Sequence, residues 1–481
     1  MSETTLSGYA IYPRSVVEQV GTTYRIGRGP EGRVLLLTGD VGGFEGYQLG
    51  DVFIGPLSVA NAALLRRRLP WLHPQPLGLK RSLGSGDRLG LATPGHLRAV
   101  RQANSSGLPA VAPIPAQQSM RENARTGRSA QQVMDDTMWG IFQEGWREPW
   151  GADADHLKTT DDVELCVAAG YTFYTVDPGD HVDNEGHTAS LQRLRKLAAA
   201  LPWQALDDTL EGLKGRYLGR SFNANGLALE FDETSLLRAA AKYGGAVAHT
   251  ARMFRHLAAA MGSRPFELEV SVDETETPTS PLEHFYVASE LRRLEVEWVS
   301  LAPRYPGAFE KGVDYIGDLE ALDRELAHHA AIARTLGPYK LSIHSGSDKF
   351  SVYALFTRHA GELVHLKTAG TSYLEALRAI AGVDPALFRQ ILALGLERYG
   401  SDRATYHVSA EASRVPRPDE LADDELAGVL DTFDGREVLH VTFGSALDEY
   451  GQRLMRALDS HEEEYYAALE THFLRHLAAF K

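Results

Sequence analysis

Short apolar runs alternate with helix-like segments through the middle of the chain. Several of these apolar runs are nearly continuous in Val, Ile, Leu, Phe or Tyr, as expected for parallel strands that are covered on both faces. They occupy residues 88–93, 110–115, 138–145, 171–180, 266–274, 296–304, 339–347 and 363–370. Eight alternating units predict an α/β fold with a (β/α)8 TIM-like barrel. A doubly wound open sheet is the alternative, although no GxGxxG motif opens a helix after the first strand.

The two ends of the chain do not show this alternation of apolar runs and helix-like segments. Residues 1–80 mix short apolar runs with Gly and Pro, which predicts an N-terminal α/β extension ahead of a catalytic barrel over 81–385. Residues 386–481 form a C-terminal extension, which includes the runs at 404–410 and 437–445. This extension ends in a predicted amphipathic helix. Its apolar stripe, which we assign to core packing, consists of Leu454, Leu458, Leu469, Phe473 and Leu477.

The charge balance narrows the choice of partner. The 481 residues carry 49 Lys and Arg against 64 Asp and Glu, a net charge of -15. Nucleic acids and anionic membranes are bound by clustered positive charge, so neither is expected as a partner. An anionic small molecule would need a local cationic pocket. The single cysteine, Cys166, the lack of an apolar run of membrane length and the lack of a signal-peptide pattern predict a cytoplasmic protein.

Polar residues gather where the predicted strands end. In a barrel, the carboxyl ends of the strands carry the active site, so a site at this end of the sheet is predicted. The residues concerned are the pair Asp155-His156, then Asp177, the pair Asp180-His181, the pair Asp273-Glu274, Arg304, Glu310, the segment from His344 to Lys349 and the segment from His365 to Gly370.

Histidines and a carboxylate from separate strands are typical of a mononuclear divalent-metal site with open positions for substrate. The candidate ligands are His156, His181, His344, His365 and Glu310.

Strand alternation separates the carboxylates of the run at 266–274. Glu267, Glu269, Ser271 and Asp273 fall on one face, and apolar residues fall on the other. The acidic face must line the interior, because a glutamate against the apolar helix layer would be costly. Glu269 is therefore a candidate acid/base. The alternative is a buried structural carboxylate that pairs with Lys or Arg.

Several longer motifs resemble the tagaturonate epimerase family, from about residue 80 to the C-terminus. The resemblance implies a metal-dependent enzyme that interconverts D-tagaturonate and D-fructuronate at C4. The motifs include GADADHLKT, VDETETPTSPLEH, LAPRYPGAFEKGVDYIGD, IHSGSDKFSVY and HLKTAGTSYLEAL. Others lie at 86–97, 116–129 and 402–411.

The order of motifs is also remotely similar to the class II aldolases, especially the tagatose-bisphosphate aldolase subunit. That resemblance implies that Asp155 is an acid/base and that His156 and His344 bind a divalent metal, which could be Zn, Mn, Fe, Co or Ni. Glu310 is the implied third ligand, with its spacing shifted by one residue, and His365 is held in reserve. The Glu-Val step of the fifth strand implies Glu269 as the second acid/base.

The implied substrate, a sugar acid, carries a carboxylate that needs cations and hydrogen-bond donors. The motif residues suited to bind it are Ser119, Arg121, Arg304, Ser345, Gly346, Lys349, Lys367, Thr368 and Ser372. A class II-type ketose aldolase, or the accessory subunit of one, remains the alternative function. No Gly-rich phosphate loop lies near the eighth strand to support an aldolase, and the acid/base and histidine set argues against an accessory role. Association into a homo-oligomer stays open.

Overall fold

A computed structural model describes residues 5–480, apart from the Thr405 side chain, as two compact units. Unit 1 contains the residues up to Gln75, Ser85–Ala152 and Ala369–Ala478, and unit 2 contains Pro76–Gly84, Asp153–Thr368 and the residues from Ala479. The predicted boundaries near residues 80 and 385 do not coincide with these units. In unit 1, the helix that contains His96 packs on the C-terminal helix, where the rings of His96 and Phe473 lie 4.6 Å apart.

The strands are numbered along the chain. Those of the N-terminal part are β1 (Thr5–Leu6), β2 (Tyr9–Ile11), β3 (Val17–Gln19), β4 (Thr22–Gly29), β5 (Gly32–Thr38), β6 (Tyr47–Leu49) and β7 (Val52–Gly55). The others are β8 (Ser82–Ser85), β9 (Ala112–Ile114), β10 (Ala116–Ser119), β11 (Ala152–Leu157), β12 (Phe173–Val176), β13 (Ser221–Ala224), β14 (Leu227–Glu230), β15 (Glu267–Val272), β16 (Ser300–Pro303), β17 (Lys340–Ile343) and β18 (Val364–Thr368).

The helices are numbered in the same way. The first nine are α1 (Val59–Arg68), α2 (Thr93–Ser105), α3 (Met120–Thr126), α4 (Ala130–Gln143), α5 (Thr160–Ala169), α6 (Glu185–Thr188), α7 (Leu191–Ala199), α8 (Leu210–Tyr217) and α9 (Glu233–Met261). The others are α10 (Pro281–Arg293), α11 (Leu319–Leu336), α12 (Tyr353–Ala360), α13 (Thr371–Val383), α14 (Pro385–Asp402), α15 (Phe433–Val441), α16 (Phe443–Ser460) and α17 (Glu462–Ala478). None of the described helices is long and apolar enough to span a bilayer.

Unit 1 contains an antiparallel sheet in the order β1-β2-β4-β5-β7-β6, with β3 paired to β4. One face of this sheet buries Leu36, Val52 and Ile54 in a small apolar cluster. The predicted N-terminal extension therefore contains its own sheet.

Unit 2 contains a sheet in the order β11-β12-β15-β16-β17-β18-β8. Adjacent strands from β11 to β18 pair in parallel, and every residue from Glu267 to Val272 in β15 is buried. The helices α5, α10, α11 and α12 each connect consecutive parallel strands of this sheet. The α/β class and the parallel sheet are thus confirmed.

The sheet of unit 2 is strongly curled. Asp155 of β11 and Lys367 of β18 stand five strand spacings apart, about 24 Å along a flat sheet. Nevertheless, the Lys367 Nζ lies 2.7 Å from Asp155 Oδ1. Only a sheet that bends round on itself brings these side chains together across its inner face, which is consistent with a TIM-like barrel.

Two predicted strands are wrong. The run at 88–93 is a loop, because the Asp87 carboxylate accepts hydrogen bonds from the backbone N–H groups of Leu89, Gly90 and Ala92. The strand β8 lies just before it. The run at 138–145 falls mostly in the buried helix α4, which begins at a Ser129–Gln132 capping box. A short apolar run does not distinguish a buried helix from a buried strand.

The third strand is instead β11, which the sequence pattern did not reveal. Its residues Ala152–Leu157 (ADADHL) alternate acidic and apolar side chains. The predicted C-terminal amphipathic helix is confirmed as the pair α16 and α17, and its five apolar stripe residues are all buried. The run at 437–445 is also helical, in α15 and the start of α16.

The burial of side chains in unit 2 predicts that two leucines contribute very differently to the free energy of unfolding. Leu366 of β18 is fully buried, whereas Leu165 of α5 is 58% exposed. We expect Leu366→Ala to lower the free energy of unfolding by about 2–5 kcal/mol, because it removes packed methyl groups and leaves a cavity. Leu165→Ala, the matched control, should change it by less than about 0.5 kcal/mol. Urea denaturation of both variants measures the difference, and similar values for the two would contradict this packing.

Candidate active site

A bulge in β11 positions the first two site residues. The register between β11 and β12 shifts between Ala154 and Leu157, and His156 has a φ of 54°. In a regular strand, Asp155 and His156 would point to opposite faces. The bulge brings them together, so that His156 Nδ1 lies 2.7 Å from Asp155 Oδ1. Positive φ in a non-glycine residue and bulges both concentrate at functional sites.

His344 lies between two carboxylates of β15 and the loop that follows it. Its Nε2 is 2.7 Å from Glu269 Oε1, and its Nδ1 is 3.1 Å from Asp273 Oδ1. Ser271 donates a hydrogen bond to Asp273 at 2.6 Å. Glu269, Ser271 and Asp273 share one face of the strand by alternation, as predicted.

His156, Asp273 and His344 form a group of potential metal ligands. One ligand atom from each side chain lies within 4.8 Å of the other two. The rings of His156 and His344 are 5.1 Å apart. The structure therefore brings together two of the predicted ligands, His156 and His344, with the carboxylate of Asp273.

The other predicted ligands do not belong to this group. Glu310 lies in the loop after β16, where its backbone carbonyl accepts a hydrogen bond from Lys349 at 2.6 Å. The His365 Nδ1 is 2.9 Å from Ser82 Oγ. Burial lowers the pKa of His365 to about 3. His181 is exposed and stacks on His249 at 4.1 Å. Glu310, the third ligand that the resemblance to aldolases implies, thus lies outside this group of side chains, which contains Asp273.

The strand-end carboxylates after β12 take other positions. Asp177 is buried, and its carboxylate accepts a hydrogen bond from the Gly179 N–H at 2.8 Å. Asp180 pairs with Lys158 at 2.9 Å on the surface. The second Asp-His pair is therefore a surface feature.

Lys367 connects the strands of the inner face. Its Nζ lies 2.8 Å from Asp153 Oδ2 and 2.7 Å from both Asp155 Oδ1 and Glu269 Oε1. It also lies 2.6 Å from Thr175 Oγ1. Lys367, which was predicted to bind the substrate, thus lies at the site, but its ammonium group is surrounded by protein carboxyl groups.

These contacts keep both candidate acid/base groups ionised. Burial favours the protonated form of Asp155, but the His156 and Lys367 cations more than offset it and hold the pKa of Asp155 well below its usual range. Burial acts in the same direction on Glu269, and Lys367 and His344 hold the pKa of Glu269 well below its usual range.

The neighbouring groups titrate differently. Burial disfavours the charged form of His344, but Asp273 and Glu269 raise the pKa of His344 to about 10. For Asp153, burial outweighs the attraction of Lys367 and raises the pKa of this carboxyl to about 7. His344 is consequently an imidazolium at neutral pH in the metal-free protein.

Four predicted substrate-binding residues of unit 2 have structural contacts. The Lys349 ammonium bonds to the carbonyl oxygens of Glu310, Val313 and Ser347, which fixes the loops after β16 and β17. Thr368 Oγ1 donates to the Gly84 carbonyl at 3.0 Å. At Gly346, a side chain would collide with Leu366 and with two backbone carbonyl groups. Ser345 Oγ accepts a hydrogen bond from Lys311 at 2.6 Å.

Arg304 is placed differently from the lysines. It directly follows β16 and is half-buried, and its backbone N–H bonds to Thr279 Oγ1 at 3.0 Å. Within the part of the chain that the structure describes, no hydrogen bond or ion pair of its guanidinium group is found. Of the predicted cations of unit 2, Arg304 is the one whose guanidinium group has no protein partner among residues 5–480 as described.

The remaining three predicted substrate-binding residues lie in unit 1. Ser119 caps α3 by accepting a hydrogen bond from Glu122 N–H at 3.2 Å. Arg121 is exposed and stands over the Tyr406 ring at 5.6 Å. Ser372 Oγ bonds to His96 Nε2 and to the Gly86 carbonyl, both at 2.7 Å. Ser119 and Ser372 therefore have clear roles in local structure.

A curled parallel sheet with buried histidines and carboxylates at the carboxyl ends of its strands is the arrangement of an enzyme active site. Comparison with known proteins narrows this class. The family model for tagaturonate epimerase matches residues 12–480. The chain belongs to that family and is an epimerase, which places it among the isomerases.

Relatives support this membership along the whole chain. A tagaturonate/fructuronate epimerase from Thermotoga maritima is 42% identical over 480 residues, which cover 98% of this chain and 96% of the relative. The native crystal structure of the fructuronate-tagaturonate epimerase UxaE from Cohnella laeviribosi is 37% identical, with a TM-score of 0.92, and the match covers 98% of this chain and 97% of that one. A complex of the same protein with one glycerol matches with the same TM-score, over 98% of this chain and 96% of that one.

The raised pKa of His344 predicts how stability depends on pH. With a folded pKa of about 10 against about 6.5 unfolded, His344 stabilises the metal-free protein fully below pH 6.5, and this contribution is lost as the pH rises towards 10. The free energy of unfolding with a chelator present should therefore fall by about 1.4 kcal/mol per pH unit between pH 7.5 and 9. In His344→Gln this slope should be missing.

The matched control is His181→Gln, which removes an exposed histidine. It should keep the wild-type slope in the same urea titrations. A wild-type slope in His344→Gln would show that His344 is not the ionised group.

Proposed function

We propose that this protein interconverts D-tagaturonate and D-fructuronate at C4 by retro-aldol and aldol chemistry at a divalent-metal site on a TIM-like barrel. The observation that carries the proposal is the convergence of His156, Asp273 and His344 beside the carboxylates of Asp155 and Glu269. Family membership supplies the substrate class, which is a keto-hexuronate.

The donor set fits a divalent cation. Two imidazoles and one carboxylate, held by separate elements, are a common ligand set for Zn, Mn, Fe, Co or Ni and leave positions open for substrate. Glu269 contacts His344 from the side opposite Asp273 and orients the ring, as carboxylates often do for ligand histidines. A divalent cation bound there would polarise a carbonyl group and stabilise the negative charge of an enediolate.

The position of the reacting carbon selects the chemistry. C4 of a 2-ketose lies β to the carbonyl, so its C–H bond is not acidified and direct proton exchange lacks a driving force. Breaking the C3–C4 bond is feasible, because the electron pair then enters a stabilised enediolate. Rotation of the aldehyde and re-formation of the bond on its other face inverts C4. No oxidant or reductant is consumed.

Two acid/base groups serve the two faces of the aldehyde. Asp155 and Glu269 are both ionised and are both able to accept the C4 hydroxyl proton. Each places a carboxylate oxygen 2.7 Å from the same Lys367 nitrogen, so these oxygens are separated by no more than twice that distance. Both carboxylates can therefore address one small substrate carbon.

Arg304 is the group we assign to the substrate carboxylate. Its guanidinium has no protein partner among the described residues, and a bidentate guanidinium–carboxylate pair is strong and directional. This assignment gives an acidic protein the local cation that an anionic substrate requires.

Metal content and epimerisation test the proposal together. We expect one divalent cation per chain by elemental analysis, and ¹³C NMR should show D-fructuronate forming from D-tagaturonate. Chelation should abolish this turnover and leave the fold intact. Asp273→Asn should weaken metal binding by roughly 100-fold or more, since even outer contacts to metal ligands contribute about 10–100-fold.

Glu310→Gln is the matched control for the third ligand, because Glu310 lies outside the group of ligand atoms. It should retain metal. Loss of metal in Glu310→Gln but not in Asp273→Asn would restore the sequence-based assignment. An active wild-type protein that retains full turnover without metal would refute the metal-dependent mechanism.

The carboxylate assignment predicts a change in substrate preference. A charge-assisted contact contributes about 1.5–3 kcal/mol, so Arg304→Met should lower kcat/KM for D-tagaturonate by roughly 10–100-fold. Turnover of the neutral ketose D-tagatose, which we expect to be roughly 10–100-fold poorer in the wild type, should hardly change. Arg292→Met, which removes an exposed arginine of α10, serves as the control. An equal loss for both substrates would contradict the assignment.

A further inference from the structure

The environment of Lys367 does not suit a group that binds the substrate carboxylate. Its side chain is only 3% exposed, and four acceptor oxygens surround its three N–H donors: those of Asp153, Asp155, Glu269 and Thr175. No donor is left over for a substrate. The ionised carboxylates of Asp155 and Glu269 around this ammonium would also repel an approaching anion.

The contacts of Lys367 lead instead to the two candidate acid/base groups. Asp155 comes from β11 and Glu269 from β15, and the same Nζ lies 2.7 Å from an oxygen of each. The same ammonium therefore fixes the distance between two carboxylates that belong to different strands. A displacement of even about 1 Å in such a group can cost about 100-fold in rate.

A second set of contacts holds the ammonium itself. Thr175 Oγ1 lies 2.6 Å from Lys367 Nζ and 2.8 Å from Asp153 Oδ1. Asp153 Oδ2 is 2.8 Å from the same Nζ. Thr175 and Asp153 thus form a buried cradle that keeps the lysine directed at Asp155 and Glu269.

We propose that Lys367 is a positioning residue, whose ammonium group holds Asp155 and Glu269 on either side of the reacting carbon. This inference rests on the proposed function, because that proposal assigns the acid/base role to the two carboxylates. It replaces the sequence-based expectation that Lys367 binds the substrate. Lys367 then acts on the rate of the chemical step and not on recognition of the uronate.

Lys340 provides a matched control within the same sheet. It lies on the neighbouring strand β17, is fully buried, and directs its Nζ to Ser82 Oγ at 3.1 Å. No carboxylate oxygen lies within 4.0 Å of it among the described residues. Lys340→Met therefore removes a buried ammonium without touching either acid/base candidate.

The first experiment separates positioning from recognition. We expect Lys367→Met to lower kcat for D-tagaturonate by about 100-fold or more while KM and metal content stay within about threefold. The neutral ketose D-tagatose should suffer the same loss of kcat, because it uses the same acid/base pair. Lys340→Met should keep a kcat within about threefold of the wild type. If Lys367→Met instead raises KM for D-tagaturonate and leaves the turnover of D-tagatose unchanged, the inference is overturned and Lys367 binds the substrate carboxylate.

Chemical rescue adds a readout that a purely structural role would not give. In Lys367→Ala, added ethylammonium should restore part of kcat at constant pH, because it supplies an N–H donor of suitable size. Tetramethylammonium has the same charge and no N–H group, so it should not rescue. Equal effects of the two cations would overturn the positioning role.

A milder variant covers the case in which the lysine variants fail to fold. Thr175→Val keeps the side-chain shape and removes the hydroxyl that holds the ammonium. It should lower kcat by about 10-fold and leave KM unchanged. A wild-type kcat in Thr175→Val, or in a folded Lys367→Met, overturns this inference but leaves the proposed function unaffected. A wild-type protein that leaves D-tagaturonate unchanged overturns the proposed function and this inference with it.

Discussion

The Lys367 ammonium lies among three buried carboxylates, and the other contacts of the site are arranged around this one. Asp153, Asp155 and Glu269 are each less than 5% exposed, and an isolated carboxylate in such a place would be very costly. The lysine offsets part of that cost. His344 offsets a further part through its contact with Glu269, and His156 does so through its contact with Asp155. Removing the lysine would leave the buried carboxylates of Asp155 and Glu269 without this cation.

The contact between Asp155 and the Lys367 ammonium also explains the strained backbone of β11. Asp155 must face the lysine while the adjacent His156 faces His344, and a regular strand cannot direct neighbouring side chains to one side. The bulge and the left-handed conformation of His156 solve this conflict at some conformational cost. The polar contacts on both residues hold the strained geometry, so that packing and site geometry depend on each other here.

The sequence allowed the class of fold to be predicted, because six of the eight predicted apolar runs contain a strand of the structure. Five of these strands belong to the parallel sheet of unit 2. The errors have a physical cause. Residues 138–145 are apolar because α4 is buried, and burial alone does not reveal secondary structure. The strand β11 was missed because its acidic residues face the interior, where Lys367 compensates them, and a contact between distant strands leaves no trace in local sequence.

The same reasoning applies to the candidate site. His156, His344, Asp155 and Glu269 could be predicted because each is a chemically informative residue near the end of a strand. Asp273 was noticed as a strand-end carboxylate but was not chosen as a ligand, since only the fold shows that it lies against His344.

Among the cations, motif membership did not separate Lys349, Lys367 and Arg304. The structure separates them by their partners: Lys349 binds backbone carbonyls, Lys367 binds protein carboxylates, and the guanidinium of Arg304 has no partner among the described residues. A cation can bind a substrate only if the protein has not already neutralised it, and this criterion requires three-dimensional contacts that no single-sequence pattern contains.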